Sequence, residues 1–292
     1  MHPTLRAALA TTLSLTMITP SLSATFSARD LAAEEGKFAA YSVKNGMRAA
    51  FIEFFAAESW LLRPEPVDAQ AWLRTRPEPA IVLDWKSQLT ILSASGDLGF
   101  SSGPSIVRDN NAPNEPAAHG QFFSIWQKQK TGEWKVLVDH GISHGPPAVP
   151  DRLSDAPLIA IDLPPPLSAS NTPNDDPERQ FIARNRSGAY ADVVTPRTRL
   201  LRANEFPIDG VHAIGNYFKY REWEWTWSVK LQGTSLARDF AYAVGNATWQ
   251  AADGVKRKGQ YVRVWVRENV NATPSRWTLA ADVVTPEPAA KK

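Results

Sequence analysis

The chain of 292 residues contains one order of residues twice, and this internal duplication constrains its fold more than any other feature. In each half a tryptophan stands twelve residues before an aspartate, as Trp85 does before Asp97 and Trp227 before Asp239. Ordered matches at similar spacing indicate two copies of one structural unit. Residues 61–63 match 200–202, residues 96–100 match 238–242, residues 120–126 match 259–265, and residues 134–139 match 277–282.

A proline-rich stretch, residues 146–173, separates the two copies and includes three consecutive prolines at 164–166. Proline fixes φ and has no N–H donor, so this stretch is predicted to be an extended linker that joins neither a sheet nor a helix. The predicted organisation is a signal peptide at 1–24, a first unit at 25–145, the linker at 146–173, a second unit at 174–286 and a disordered tail at 287–292.

The first 24 residues have the order of a secretory signal peptide. A weakly basic start with Arg6 is followed by the apolar stretch 7–18 and by small residues up to Ala24. This order is typical of a removed signal, and the apolar part is shorter than the roughly 20 residues of a membrane-spanning helix. We therefore expect a protein exported to the periplasm or the medium, with no membrane span in the mature chain.

The composition excludes several classes of chemistry. The chain has no cysteine, so disulfides, thiolate metal sites and cysteine nucleophiles are impossible. Its 32 basic residues nearly balance its 30 acidic ones, which does not favour binding to nucleic-acid phosphates or anionic lipids. We expect no nucleic-acid partner, and a core that is held together by burial alone.

Local patterns predict an α+β fold class. Apolar residues recur at helical spacing within 28–57, and residues 69–74 predict one more short helix. Between 223 and 231 apolar and polar residues alternate, as in a strand with one buried face. Further strands are predicted at 97–108, 119–130 and 134–142, with a hairpin turn at 131–132. Each unit is thus predicted as helix, helix, strand, short helix and four antiparallel strands.

This element order resembles the nuclear transport factor 2-like superfamily, and within it the SnoaL-like group of exported bacterial proteins. The likeness rests on Gly-Asp-Leu-Gly at 96–99, Gly-Gln-Phe at 120–122 and Trp-Lys-Val-Leu-Val-Asp at 134–139. It implies two tandem cone-shaped units, each a curved antiparallel sheet wrapped on helices. Such units include isomerases, cyclases, hydrolases, dehydratases and binding or assembly modules, so the resemblance does not select a function.

The resemblance also implies that an acid–base residue can lie inside the cone. The candidates are Asp139 and His140 on the last strand of the first unit, whereas the second unit has Asp282 followed by Val283. Successive strand residues point to opposite faces, so only one of the pair can face the cone unless a bulge intervenes. The candidates for lining the pocket are Arg63, Asp84, Trp85, Gln121 and Trp126.

Other catalytic patterns are absent from the sequence. His140 and His144 have a metal-binding spacing only on a helix, which Gly141 and Gly145 disfavour, and no third ligand lies nearby. There is no glycine-rich phosphate loop. The tyrosine and paired aspartates of ketosteroid isomerases have no matching motif here. We expect neither a metal nor a cofactor.

Two functional hypotheses follow. The first is a non-catalytic binding or assembly protein, in which the two units pair through their sheets as a pseudo-dimer and a small apolar molecule is the candidate ligand. The alternative is a small-molecule lyase or isomerase that uses an acid–base residue in the cone of the first unit. The eleven tryptophans fit either two packed cores or an aromatic-lined pocket.

Overall fold

A computed structural model describes residues 26–62, 65–148, 153, 157–165, 175–184, 187–219, 221, 224–250, 254–267 and 276–287. The predicted signal peptide, Arg63 and the end of the predicted tail therefore lie outside the described residues. Within these ranges, no helix combines the length and the apolar character needed to cross a membrane.

The first unit contains three helices and seven strands in order along the chain. The helices are α1 (Ala28–Asn45), α2 (Met47–Phe54) and α3 (Ala69–Arg74). The strands are β1 (Phe55–Leu62), β2 (Pro66–Asp68), β3 (Ile81–Trp85), β4 (Leu89–Leu92), β5 (Leu98–Asp109), β6 (Ala118–Lys128) and β7 (Trp134–His144).

Helix α1 begins at a capping box, in which Ser27 accepts from the backbone of Asp30 while Asp30 accepts from the backbone of Ser27. Leu31 and Phe38, seven residues apart, lie on one face of the helix and are fully buried. This face packs against the sheet, where Phe38 contacts the ring of Trp85 at 4.7 Å between centroids. The capped, amphipathic helix thus covers the concave side of the first sheet.

The second unit repeats this arrangement. Its helices are α4 (Pro177–Arg184), a 3₁₀ helix (Ser187–Asp192) and α5 (Gly210–Phe218). Its strands are β9 (Arg199–Arg202), β10 (Ile208–Asp209), β11 (Glu224–Thr234), β12 (Phe240–Gln250), β13 (Lys256–Val266) and β14 (Thr278–Pro286).

The two sheets have the same topology. Their orders are β2-β1-β7-β6-β5-β4 and β10-β9-β14-β13-β12-β11. In each sheet the last strand pairs in parallel with the first long strand, β7 with β1 and β14 with β9, and the other long strands are antiparallel. The predicted α+β class, with two units of curved sheet and helices, is confirmed.

Three details differ from the sequence prediction. The first of the four final strands is continuous as β11 in the second unit, but it is divided into β3 and β4 in the first unit, and both parts pair with β5. The second predicted helix of the second unit is a 3₁₀ helix. In β11 the predicted inward residue Val229 is 38% exposed, because β11 is the edge strand of its sheet.

The predicted linker also needs a correction, because part of it joins a sheet. Residues Ile159–Asp162 form strand β8, which runs parallel to β4 at the edge of the first sheet. These four residues contain no proline, so each can donate a backbone hydrogen bond. Asp162 also accepts from the backbone N–H of Ala28 at 2.7 Å, which ties β8 to the start of α1.

Repeated glycines permit close approach of the curved strands. A Cβ on Gly103 would lie 2.0 Å from the carbonyl oxygen of Lys86, and a Cβ on the matching Gly245 would lie 2.2 Å from a neighbouring carbonyl oxygen. A Cβ on Gly120 would lie 2.2 Å from a backbone carbonyl oxygen, and a Cβ on the matching Gly259 would lie 2.1 Å from one. Gly103 and Gly245 lie six residues after Asp97 and Asp239, and Gly120 and Gly259 belong to the matched ranges 120–126 and 259–265. The close approach of the neighbouring strands explains why glycine recurs at both positions.

The two sheets pack against each other with their convex faces. One continuous buried core contains side chains from both units. Its members include Phe100, Phe123 and Ile125 from the first unit, and Phe240, Val262 and Val264 from the second.

Two reciprocal hydrogen bonds join the units at the edge of this core. The carboxylate of Asp97 accepts from the backbone N–H of Leu236 at 3.0 Å, and that of Asp239 accepts from the backbone N–H of Ala94 at 2.7 Å. Each aspartate also accepts from the serine that opens its own turn. The same contact, made in both directions by matched residues, is the pattern of a two-fold interface.

We predict that Gly103→Ala destabilises the protein by about 1–3 kcal/mol, because the added methyl group collides with the backbone and forces the strands apart. Gly36→Ala is the control. Gly36 lies exposed in α1 with open space around it, so this change should stabilise the helix by about 0.5–1 kcal/mol. Urea unfolding of both variants measures the two effects, and equal stabilities would contradict the steric explanation.

Candidate functional site

A cavity of about 310 Å³ lies in the first unit, between α2, β3 and the strands β5 to β7. Its wall combines apolar and aromatic side chains with about as much polar surface. Small-molecule sites commonly place polar groups within such an apolar lining. The main apolar residues of the wall are Met47, Phe51, Ile81, Leu83, Trp85, Val107 and Phe122, and the polar ones include Ser105, His119, Gln121, Asp139 and His140.

The two candidate acid–base residues border this cavity but face in opposite directions. Asp139 pairs with Ser124 of β6 and accepts a hydrogen bond from its hydroxyl group at 3.1 Å. His140 pairs with Phe123, which belongs to the core between the units, and its Nε2 lies 2.8 Å from the hydroxyl of Thr285 in the second unit. Asp139 is therefore on the cone side of the sheet, and His140 is on the interface side.

Of the five residues predicted to line the pocket, only some border this cavity. Trp85 and Gln121 border the cavity. Asp84 does not, because it precedes Trp85 in β3 and alternation turns it to the other face. Trp126 lies behind the wall, fully buried. Arg63, the fifth candidate, is outside the described residues.

A buried glutamate that the sequence analysis did not identify lies behind this cavity. Glu35 of α1 is 1% exposed, and each of its carboxylate oxygens accepts an indole N–H at 2.7 Å, one from Trp85 and one from Trp126. The hydroxyls of Ser101 and Ser124 also interact with it. Ser124 therefore connects two carboxyl groups, those of Glu35 and Asp139.

Burial raises the pKa of Glu35 to about 7, although the hydrogen bonds from the two tryptophans and the two serines oppose this shift. One sequence signal could have revealed this residue. Glu35 lies four positions after Leu31 and three before Phe38, so it interrupts the apolar face of α1. A glutamate there must either be paired or remain protonated.

The second unit has an equivalent glutamate but a different neighbour. Glu178 of α4 accepts from the indole N–H of Trp265 at 2.9 Å, and Trp265 is the match of Trp126. Arg263 takes the place of Ser124, because it pairs with Asp282 as Ser124 pairs with Asp139. Its guanidinium is fully buried and lies 2.7 Å from the carboxylate of Glu178.

Arg263 and its partners fill the interior of the second unit. The guanidinium lies 3.8 Å from the ring centre of Trp227 and 3.5 Å from the carboxylate of Asp282. Asp282 also pairs with Arg202 at 2.9 Å and accepts from the hydroxyl of Tyr190. Two arginines thus balance two carboxylates in a space that corresponds to the cavity of the first unit.

No metal-binding arrangement accompanies either interior. Among the residues that the structure describes, no three His, Asp or Glu side chains form a group that could hold a metal ion.

In both units, a parallel first strand and four antiparallel strands curve around helices, with a buried glutamate held to the sheet by a tryptophan. Both units have the predicted α+β architecture, which resembles the nuclear transport factor 2-like fold. No protein-family model matches the chain, and no curated protein matches it.

Several solved nuclear transport factor 2-like structures are similar to part of the chain. A ketosteroid isomerase-like protein from Erwinia carotovora atroseptica is 14% identical, and the match covers 38% of this chain and 88% of that one, with a TM-score of 0.31. A protein of unknown function from Shewanella oneidensis is 15% identical, with 37% and 89% covered and a TM-score of 0.29. A protein with a cystatin-like fold from Novosphingobium aromaticivorans is 11% identical, with 39% and 81% covered and a TM-score of 0.30.

We predict that stability depends on pH through Glu35. Between the ordinary pKa of 4.5 and the folded pKa of about 7, the folded state keeps a proton that the unfolded state has lost. Raising the pH through this window therefore lowers the free energy of unfolding, by up to about 3 kcal/mol. Glu35→Gln has no proton to lose there, so the stability of the wild type relative to this variant should fall from pH 4.5 to 7.

Urea unfolding at several pH values measures this difference. Glu34→Gln is the control, because Glu34 is a partly exposed neighbour on the same helix that pairs with Lys37. Its stability relative to the wild type should stay constant over the same range. If the free energy of unfolding of Glu35→Gln relative to the wild type also stayed constant, the buried carboxyl group would not titrate in this window.

Proposed function

We propose that the protein binds a small, largely apolar molecule in the cavity of the first unit, and that the second unit has a structural role. One observation carries this proposal: the same interior position holds the small Ser124 in the first unit and the buried Arg263 in the second. The serine leaves room beside Asp139, whereas the arginine occupies the corresponding space and neutralises Asp282.

The lining of the cavity defines the class of ligand. Phe51, Leu83 and Phe122 offer apolar contacts, and the volume of about 310 Å³ is at the lower end of the range for small-molecule sites. Asp139 supplies a polar anchor, since its carboxylate can accept a hydrogen bond from a ligand hydroxyl or amine. A compact molecule with one donor group on an apolar body fits this description.

The second unit supports the first through a pseudo-dimer within one chain. The shared core and the reciprocal bonds of Asp97 and Asp239 support this part of the proposal. Covalent linkage makes the pairing intramolecular, which raises the effective concentration of each unit for the other. With the signal peptide predicted at residues 1–24, the proposed function is that of an exported binding protein.

Ligand binding is tested with 2-naphthol, a neutral bicyclic molecule with one hydroxyl group. We expect 2-naphthol to bind the wild-type protein and to quench the protein's tryptophan fluorescence, because Trp85 borders the cavity. Ser124→Arg should weaken binding at least tenfold, since the new side chain can pair with Asp139 and Glu35 as Arg263 pairs with Asp282 and Glu178.

Ser228→Arg is the matched control for this experiment, because it makes the same substitution at an exposed position of β11. It should bind 2-naphthol as the wild type does. Naphthalene, which lacks the hydroxyl group, should bind the wild type more weakly. Equal binding of 2-naphthol to the Ser124→Arg variant would place its site elsewhere and contradict the proposal.

The pseudo-dimer predicts that the whole chain unfolds in one cooperative calorimetric transition. Asp239→Ala should lower the free energy of unfolding by about 1–3 kcal/mol, because it leaves the N–H of Ala94 without its acceptor. Asp192→Ala, which removes an exposed ion pair with Arg184, should cost less than about 1 kcal/mol. Two separate transitions in the wild type would show that the units fold independently.

A further inference from the structure

A second cavity, of about 510 Å³, lies between the two units and adjoins the proposed ligand site at residues 119–121. We name it the inter-unit cleft. The first unit contributes Pro104, Gln121 and His144, and the second contributes Arg199 and Phe206. Gln121 borders both cavities, but its side chain is bonded to His144 on the face turned towards the second unit.

Among the described residues, the two ends of the two-fold interface differ. At the end opposite the cleft, the side-chain amide of Asn246 donates to the carboxylate of Glu65 at 2.7 Å and bridges the units. Asn246 follows Gly245 as Pro104 follows Gly103, so these two positions match. Glu65 precedes Pro66 as Phe206 precedes Pro207, so these two match as well. The side chains of Pro104 and Phe206 can neither donate nor accept a hydrogen bond, so the equivalent bridge is missing and the cleft remains open.

Gln121 presents a buried acceptor at this cleft. The Nδ1 of His144 lies 2.7 Å from the carbonyl oxygen of Gly145 and therefore carries the proton in the neutral ring. The Nε2 of His144 then accepts from the amide nitrogen of Gln121 at 3.1 Å. Gln121 is 6% exposed, and its Oε1 has no hydrogen-bond partner among the described residues.

Arg199 presents a buried donor to the same cleft. Its Nε and Nη2 bind the two carboxylate oxygens of Asp209 at 3.0 and 2.8 Å. Its Nη1 is buried and has no hydrogen-bond partner within the described part of the chain. The bidentate pair cancels the charge of the guanidinium, so the cleft offers a donor with little net charge.

We propose that the inter-unit cleft is a second binding site, for a small neutral molecule that carries an amide-type pair of donor and acceptor on an aromatic body. The ligand carbonyl accepts from Nη1 of Arg199, and its N–H group donates to Oε1 of Gln121. Both atoms are closed to solvent in the free protein, so the ligand reaches them by displacing side chains at the cleft. The ring of Phe206, 52% exposed and 4.6 Å from the ring of His144, supplies a flat wall for the aromatic part. Because buried polar groups without partners are costly, satisfying both of them favours this ligand over a purely apolar one.

The neutral charge of the ligand follows from the surroundings. A carboxylate ligand would approach Asp209 and the unpaired oxygen of Gln121, and an ammonium ligand would approach Arg199. An uncharged amide avoids both repulsions. This proposal does not rest on the function proposed for the first unit, because its contacts with Arg199 and Phe206 lie outside that cavity, although Ser105 and residues 119–121 border both cavities.

Benzamide is the probe for this site, and toluene and benzoate are its matched analogues. Isothermal titration of the full chain should show that benzamide binds more tightly than either analogue. Gln121→Leu, which keeps the size of the side chain and removes its polar atoms, should weaken benzamide binding about tenfold, as expected for one lost hydrogen bond. Phe206→Ala, an exposed change that leaves the core intact, should also weaken it several-fold.

Saturating 2-naphthol should leave the affinity for benzamide unchanged. Competition would place benzamide in the cavity of the first unit and overturn the proposal. Benzoate binding more tightly than benzamide would identify an anion site instead, and toluene binding equally well would identify an apolar one. Unchanged benzamide binding by both Gln121→Leu and Phe206→Ala variants, with native circular dichroism, would also refute it.

Discussion

The architecture depends on one kind of buried interaction that both units contain: a glutamate of the first helix accepts an indole N–H from a tryptophan of the sheet. Glu35 binds Trp126 in this way, and Glu178 binds Trp265. The bond fixes the helix over the concave face and places a carboxyl group in a low-dielectric interior. Each unit must then compensate for that carboxyl group, and the two units do so differently.

The way in which each unit compensates for its buried carboxyl group determines what its interior can contain. In the first unit, neutral donors surround Glu35 and burial raises its pKa. A cavity borders Asp139, the cross-strand neighbour of the small Ser124. In the second, Arg263 supplies a full positive charge, and its guanidinium fills the space. A charge-compensated interior is closed, whereas an interior compensated by protonation and neutral hydrogen bonds can keep a cavity.

The fold could be predicted from the sequence to a large extent, because repetition marks the same strand order twice and the turn and glycine positions recur. The interior could be predicted only in part. Alternation along β7 predicts that only one of Asp139 and His140 faces the cone. It does not predict which one, because His140 contacts Thr285 of the other unit, 145 residues away in the sequence. Strand β8 was missed because its short apolar run lies between prolines, and the role of Glu35 depends on two tryptophans that are distant in sequence.

The covalent joining of the two copies has an evolutionary consequence. In a symmetric homodimer every substitution appears in both subunits. An arginine that fills the interior of one subunit therefore fills the other as well, and a proline that removes a hydrogen bond at one end of the interface removes it at both ends. Here Ser124 and Arg263, or Pro104 and Asn246, are encoded separately and can be selected separately. Two copies within one chain can therefore differ in their interiors, so that one contains a buried ion pair while the other keeps a cavity.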